Sequence, residues 1–147
     1  MSELKPALYL IPNTLGETTY EKVLPDYNRE VLRGIKYFIV ESRREAIRFI
    51  KLADSEIDVD SLFFTELNEH TDLKTIGKIL EPLEKQKLPM GIISDAGCPA
   101  VADPGAAAVE MAQKKNLCVV PLAGPSSMIM AVMVSGFNGQ SFSFNGY

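Results

Sequence analysis

Cysteine and histidine are scarce in this sequence, and a long apolar run and a basic leader are missing. With two cysteines and one histidine, the chain cannot form a disulfide framework, and it has no paired Cys/His spacing for a metal site. No apolar run approaches the ~20 residues needed to span a bilayer, and residues 1–6 lack the basic and apolar regions of a secretory signal. We therefore expect a cytoplasmic protein in a reducing compartment, with no metal and no membrane segment. Cys118 lies in an apolar run and is predicted to be buried.

The rest of the composition is that of a globular domain. Hydrophobic residues make up 46% of the 147 residues and charged residues 23%, which leaves enough apolar material to exclude disorder of the whole chain. A domain of this length buries roughly two-thirds of its unfolded surface. No internal repeat, low-complexity segment or Gly/Ser linker divides the sequence, so we expect one domain over residues 1–147.

The net charge of −4 is unevenly distributed along the chain. Residues 29–51 hold seven basic and three acidic residues, whereas residues 54–72 hold seven acidic and no basic ones. The basic segment could contact a phosphate backbone. The spacing of Arg44, Arg48 and Lys51 is nevertheless typical of the solvated face of one helix, and we favour that interpretation.

Short apolar runs alternate with segments of helical periodicity. The predicted strands are residues 7–11, 37–40, 62–65, 90–93, 117–120 and 142–144. The predicted helices between them are residues 25–34, 42–52, 71–85, 105–115 and 126–134. Strict alternation with nearly all-apolar strands predicts an α/β fold, with a mostly parallel sheet and helices on both faces. Ligands of such sheets bind at the carboxyl ends of the strands.

The loop after the fourth predicted strand, residues 94–105, carries the strongest functional signal. It reads SDAGCPAVADPG, with two aspartates, two glycines and two prolines between a buried strand and a helix. Glycines let a backbone approach a ligand closely, and Asp95 could accept hydrogen bonds from an amine or a ribose hydroxyl. The free N–H groups of the next helix suit a carboxylate. The same residue types also form ordinary turns, in which Asp103 would cap the helix, so both interpretations stay open.

Two further loops either extend or limit this interpretation. Residues 121–127 read PLAGPSS. In one interpretation Ser126 and Ser127 face a polar ligand, and in the other Ser126 caps the next helix. The loop after the first strand lacks the G-x-G-x-x-G spacing of a dinucleotide site, and no Walker-type motif occurs in the chain. A simple dehydrogenase and a P-loop nucleotidase are therefore disfavoured.

Charged residues also follow the second and third predicted strands, which places them on the same rim. Glu41 and Arg43 follow one strand, and Asn68, Glu69 and His70 follow the other. A carboxylate there could orient or deprotonate a hydroxyl, and Arg43 could hold a phosphate. The structural alternative is a set of surface ion pairs and helix caps. We interpret His70 as a solvated loop residue, because nothing in the sequence places a partner beside it.

Taken together, these segments resemble the tetrapyrrole methylase superfamily of S-adenosylmethionine-dependent methyltransferases, and within it the ribosomal RNA small subunit methyltransferase I family. Residues 94–105 are the specific segment of the resemblance. The weaker segments are residues 8–12 with 16, 41–43, 68–69, and 124–127 with 135–136. The resemblance implies a fold of two α/β domains with the cofactor in the cleft between them. It also implies methyl transfer to a cytidine 2′-hydroxyl in small-subunit rRNA.

Roles for individual residues follow from the same resemblance. The residues implied to contact the methionine and ribose parts of the cofactor are Asp95, Ala96, Gly97, Val101, Ser126 and Ser127. Pro12 would line the floor of that site. The residues implied to face the methyl acceptor are Glu41, Arg43, Asn68 and Glu69. Transfer from the sulfonium is an in-line displacement in which the protein positions the acceptor oxygen, and Glu41 or Glu69 would assist by drawing away its proton.

The sequence departs from the family pattern in three loops and in length. Its first loop has PNTLGE where the family has TPIGN, the second-strand motif keeps only Glu41 and an Arg two positions on, and Cys98 replaces a usual Thr. These departures bear more on the acceptor than on the cofactor. The Gly-rich first loop and Gly-Asp-Pro block of the precorrin-methylating branch are absent. Residues 142–146 resemble the segment that ends the family's first domain, so we expect an N-terminal domain with little activity by itself.

Two other functions stay open from the residues. One is a methyltransferase that acts on a small, tetrapyrrole-like molecule, which the acidic net charge favours and the basic segment opposes. The other is a non-catalytic, RNA-associated or dimerisation module on the same fold, because a fold alone does not determine function. The partners expected from the resemblance are rRNA or the small ribosomal subunit and a second copy of the chain, as a homodimer.

Overall fold

The computed structural model describes residues 3–147, apart from the side chain of residue 73, and in that part of the chain it contains one five-stranded sheet. The strands are β1 (Leu8–Ile11), β2 (Tyr37–Val40), β3 (Phe63–Glu66), β4 (Met90–Ile93) and β5 (Val119–Pro121). Their order across the sheet is β3-β2-β4-β1-β5, and each neighbouring pair is parallel. The helices are α1 (Asp26–Arg33), α2 (Arg43–Ala53), α3 (Leu73–Ile79), α4 (Glu81–Glu84), α5 (Gly105–Lys114) and α6 (Ser127–Ser135). The predicted α/β class is confirmed.

Helices cover both faces of the sheet, because successive strand side chains point to opposite sides. Tyr9 and Ile11 of β1 belong to a core that includes α1 and α2, whereas Leu8 belongs to a second core with α3 and α5. Gly91 in β4 allows the first core to close. A Cβ at that position would lie 2.8 Å from Ile11 Cδ1 and 2.9 Å from Phe38 Cδ1.

The helix boundaries that the sequence indicated near α1 and α2 are confirmed. Pro25 immediately precedes α1 and Gly34 follows its last residue, as expected for a fixed φ at a helix start and a flexible residue at its end. Ser42 caps α2, and its side-chain oxygen accepts a hydrogen bond from the Glu45 N–H at 3.3 Å. These local signals place α2 directly after β2, at the carboxyl edge of the sheet.

The single helix predicted over residues 71–85 is wrong, because the structure divides it into α3 and α4. Asp72 caps α3 by accepting from the Lys74 N–H at 2.9 Å. Pro82 lies in the first turn of α4. Proline has no N–H to continue the ladder of hydrogen bonds from the preceding turn and its ring crowds that turn, so α3 ends at Ile79.

The predictions near the end of the chain also need correction. The strand predicted to begin at residue 117 begins at Val119, because the Leu117 N–H still bonds to the Ala112 carbonyl of α5 at 2.9 Å. Cys118 is exposed because it precedes an edge strand, so its predicted burial is wrong. Over the described residues no strand follows α6, so the strand predicted at residues 142–144 is wrong. Phe142 and Phe144 are exposed and belong to neither core of the sheet.

Helix α6 is apolar and largely exposed. Met133 and Val134 are 74% and 86% exposed, and no residue of α6 is buried. The helix therefore adds nothing to either core of the sheet. In the part of the chain that the structure describes, no helix has both the length and the apolar character to cross a membrane.

Candidate active site

Three loops meet at the carboxyl edge of the sheet: the β1 loop (residues 12–19), the β4 loop (residues 94–104) and the β5 loop (residues 122–126). The β1 and β4 loops exchange two backbone hydrogen bonds, from Asn13 N–H to Gly97 O at 2.9 Å and from Gly97 N–H to Thr14 O at 3.2 Å. The buried Asn13 amide also donates to the carbonyls of Ser94 and Asp95. Asn13, which belongs to the segment that departs from the family pattern, thus joins the β1 loop to the β4 loop.

The β5 loop is packed against the other two. A Cβ at Gly124 would lie 2.1 Å from Pro12 Cβ, so only glycine permits this approach. Pro12 is buried beneath the loops, and its role as the floor of the site stays a prediction. The Cys98 thiol donates to the Pro125 carbonyl, with 3.3 Å between Sγ and the oxygen. Cys98 therefore keeps a hydrogen-bond donor at the position where the family has threonine.

The β4 loop has an uncommon backbone conformation. Gly97, Ala100 and Ala102 have φ angles of 62°, 66° and 54°, in the left-handed region that residues with a Cβ rarely adopt. The Asp103 carboxylate accepts hydrogen bonds from the N–H groups of Ala100 and Gly105. Burial raises the pKa of Asp103, against the lowering effect of these donors. Asp103 therefore bonds the first N–H of α5, although the N-cap residue of the helix is Pro104, which makes no side-chain cap bond.

The residues expected to contact the cofactor do not all lie at the surface. Asp95 and Ala96 are exposed at the start of the β4 loop, Gly97 is buried behind them, and Val101 is 47% exposed further along. The serines lie apart from these residues in the chain, at the start of α6. Ser126 caps α6 by accepting from the Ile129 N–H at 3.4 Å, and Ser127 is exposed in its first turn.

Asp95 is the charged group at the centre of the edge. Its N–H donates to Glu41 Oε2 at 2.9 Å, which joins the loops that follow β2 and β4. Partial burial raises the pKa of the Asp95 carboxyl, and the negative charges of Glu41, Glu45 and Glu66 raise it further. These carboxylates favour a proton or another cation beside Asp95.

The residues expected to face the acceptor divide into two groups. Glu41 is joined to the β4 loop, and the Arg43 guanidinium lies 5.6 Å from the centre of the Phe64 ring. Asn68 and Glu69 are exposed in the turn after β3. There Asn68 Oδ1 accepts from the His70 N–H at 2.9 Å. Over residues 3–147, no hydrogen bond joins Asn68 or Glu69 to the β4 loop.

The sequence places Glu66 on the rim and Ser94 at the start of the β4 loop, but it predicts neither their hydrogen bonds nor an open cavity beside these loops. Glu66 accepts a hydrogen bond from the Arg43 N–H at 3.0 Å, and the Ser94 hydroxyl donates to the Gly97 carbonyl at 2.8 Å. The cavity, of about 670 Å³, lies between the β1 loop, α2 and the start of the β4 loop. Its apolar wall is formed by Leu15, Phe49 and Leu52, and its charged lining by Glu17, Glu45, Arg48, Lys51 and Asp95. A carboxylate at a strand end predicts an edge site, but the cavity depends on how α2 packs against the β1 loop.

Most of the basic segment is engaged in local contacts, which confirms the solvated-face interpretation. Arg29 pairs with Glu21 and Asp26 on the surface, and Arg33 pairs with Asp54. The α2 side chains Arg44, Arg48 and Lys51 are all exposed. His70 is likewise a solvated loop residue as predicted, with its side chain 86% exposed. In the described part of the chain, no group of three or more His, Cys, Asp or Glu residues is arranged to hold a metal ion.

Several curated proteins are similar to this chain over most of its length, although no protein-family model matches it. The ribosomal RNA small subunit methyltransferase I of Vibrio cholerae is 30% identical over 146 residues, which make up 97% of this chain and 46% of the relative. The protein of the same name from Thermotoga maritima is 42% identical over 118 residues, 80% of this chain and 50% of the relative. The chain therefore resembles the ribosomal RNA small subunit methyltransferase I family over most of its own length.

These similarities confirm the resemblance that the sequence predicts. The Bacillus subtilis member of the family is 28% identical over 143 residues, 95% of this chain and 45% of the relative. The chain therefore spans about half the length of the curated family members that it matches.

Proposed function

We propose that the chain forms the N-terminal α/β domain of an S-adenosylmethionine-dependent methyltransferase that acts on small-subunit rRNA, with a cytidine 2′-hydroxyl as the acceptor. The observation that carries this proposal is the meeting of the β1, β4 and β5 loops at one edge of the sheet in a chain that resembles this family. Since the chain spans about half the length of its relatives, a second domain is expected to complete the cofactor cleft.

The residues at this edge fit a cationic cofactor. When bound, S-adenosylmethionine supplies a methyl group on a positively charged sulfonium. Asp95 has the negative charges of Glu41, Glu45 and Glu66 around it, and a neighbouring cation would relieve their mutual repulsion. Ala96 is exposed and small, which leaves the backbone of the β4 loop accessible to the polar end of the ligand.

The chain's own residues then position the acceptor and remove its proton. Glu41 is engaged by the Asp95 N–H, so its first role is to hold the start of the β4 loop. Glu69 is exposed on the same rim and is the carboxylate that we propose draws the proton from the ribose hydroxyl. The exposed Arg43 supplies a guanidinium for a phosphate of the RNA.

The test uses the protein expressed from its complete gene, including whatever follows Tyr147. Small ribosomal subunits from a strain that lacks the gene are incubated with the protein and methyl-labelled S-adenosylmethionine. The proposal predicts label in the subunit RNA, on the 2′-oxygen of a cytidine, and none with subunits from the parent strain. Label on a base nitrogen or carbon would contradict the proposed acceptor atom.

The same preparation decides between the proposal and its alternatives. Saturable S-adenosylmethionine binding without transfer to RNA, but with transfer to a tetrapyrrole, would favour the small-molecule methyltransferase. Absence of saturable binding would favour the non-catalytic module and would overturn the proposal. The homodimer and the cytoplasmic location expected from the sequence stay predictions.

A further inference from the structure

The Asp103 carboxylate is bonded entirely within the β4 loop and the first residue of α5. Its two oxygens accept from the Ala100 N–H at 2.9 and 3.0 Å, and Oδ1 also accepts from the Gly105 N–H at 2.8 Å. A carboxylate accepts several N–H groups at once, so one half-buried side chain closes the loop between these two residues.

The backbone that this carboxylate closes is strained. Ala100 and Ala102 both have positive φ angles, where the Cβ of an L-residue is crowded by its own carbonyl. Such conformations persist only where the surroundings determine them. Asp103 bonds the N–H of Ala100, the first of these two residues, directly, so its carboxylate is one of the contacts that hold this conformation.

The first residue of α5, Gly105, leaves room for the Asp103 carboxylate. A Cβ at Gly105 would lie 2.9 Å from Asp103 Oδ1 and 3.2 Å from Ile92 Cγ2. Any larger residue would therefore push the carboxylate away or displace β4. Because glycine occupies this position, the first N–H of α5 reaches Asp103, and the loop, the helix and the strand end are fixed together.

We propose that Asp103 is a positioning residue that forms the cofactor-binding conformation of the β4 loop before the ligand arrives. The inference rests on the proposed function, because the loop it shapes carries Ala96, Gly97 and Val101. Asp103 itself is turned into the loop, where its oxygens meet N–H groups of the chain. It acts on the ligand only through the backbone of residues 97–102.

The test compares Asp103→Ala and Asp103→Asn in the protein from the complete gene. A ligand's apparent affinity falls with the fraction of protein in the competent conformation. If that fraction falls to about one tenth, the KM for S-adenosylmethionine rises about tenfold while kcat at saturation changes less than about twofold. Asp103→Asn keeps one acceptor oxygen and is expected to lie between Asp103→Ala and the parent. It also preserves the comparison if Asp103→Ala does not fold.

A second substitution separates positioning from simple helix capping. Glycine adopts positive φ without strain, so Ala100→Gly added to Asp103→Ala is expected to recover part of the lost affinity. Asp58, which accepts from the Asp60 N–H at the amino end of β3, is the matched control. Asp58 caps the short 3-10 helix Val59–Ser61. Asp58→Ala removes that cap and is expected to lower the melting temperature without changing the KM for S-adenosylmethionine.

The measurements distinguish failure of the proposed function from failure of the role proposed for Asp103. If the parent protein shows no saturable binding of S-adenosylmethionine, the proposed function fails first, and the role of Asp103 fails with it. If the parent binds and Asp103→Ala lowers only the melting temperature, Asp103 is a helix cap and the inference alone is overturned. A raised KM that Ala100→Gly does not lower also overturns it, because the loss then does not act through the loop backbone.

Discussion

The carboxylate of Asp95 lies where the loops after β2 and β4 are joined, and three other carboxylates face it. We expect Asp95→Ala to weaken S-adenosylmethionine binding by roughly 10- to 100-fold, since a hydrogen bond to a charged group contributes about 1.5–3 kcal/mol. Titration calorimetry on the protein from the complete gene measures this. Asp60→Ala removes an exposed carboxylate at the amino end of β3 and serves as the control. Equal affinities for both variants would remove Asp95 from the site.

Gly124 tests the packing of the β5 loop on the floor residue Pro12. A methyl group at Gly124 would meet Pro12 Cβ at 2.1 Å, so Gly124→Ala must displace one of the two loops. We expect it to lower the free energy of unfolding by about 1–3 kcal/mol, the usual cost of overpacking. Gly16→Ala is the matched control, because a Cβ there meets nothing within 4 Å. Urea denaturation measures the free energy of unfolding of both variants. Equal losses for Gly124→Ala and Gly16→Ala would show that the β5 loop is not tightly packed against Pro12.

At the scale of elements, α2 depends on a single serine at its start. Ser42→Ala removes the side-chain acceptor for the Glu45 N–H, and loss of such a cap costs ~1 kcal/mol. The expected result is a lower free energy of unfolding in urea, with an unchanged dependence on denaturant concentration. Ser55→Ala, at an exposed position after α2, is the control. A loss no greater than that of the control would show that the cap does not stabilise α2.

The sequence predicted elements well where local chemistry decides them. Ser42 and Gly34 mark helix ends through hydrogen bonding and backbone freedom, and apolar runs of four residues mark the central strands. It failed where the outcome depends on a neighbour. Cys118 lies in an apolar, strand-like run, yet it is exposed because it precedes β5, which lies at an edge of the sheet.

The same distinction applies to the site. Asp95 was predicted because a carboxylate after a buried strand must lie at the carboxyl edge of a parallel sheet. The hydrogen bond from its N–H to Glu41 joins residues 54 positions apart, and no local pattern encodes that distance. Asn68 and Glu69 lie on the predicted rim, but how they act on an acceptor depends on groups that the sequence pattern does not specify.

At the scale of the whole molecule, the ion pair between Arg33 and Asp54 makes stability depend on pH. The hydrogen bond from Arg33 lowers the pKa of Asp54, so the folded state binds fewer protons than the unfolded state below about pH 4. The stabilisation is therefore present above that pH and is lost as the pH falls through the folded pKa. Asp54→Asn is expected to destabilise the protein at pH 7 and to have a smaller effect near pH 2.

Urea denaturation at the two pH values checks this prediction. Glu30→Gln, on an exposed position of α1, controls for removal of one negative charge. Asp95 and Asp103 affect the pH dependence of stability in the opposite direction from Asp54, because burial raises the pKa of both carboxyls. Their ionisation costs stability as the pH rises, and that cost is relieved on acidification. An equal loss at both pH values for Asp54→Asn would show that the pair does not couple folding to protons.

The most direct test of the account is the structure of the protein from its complete gene, crystallised with S-adenosylhomocysteine. We expect the amino-acid part of the ligand within hydrogen-bond distance of the β4 loop, against Asp95 and the backbone of Ala96 and Gly97. Well-defined ligand density elsewhere on the molecule, with the β4 loop uncontacted, would contradict it.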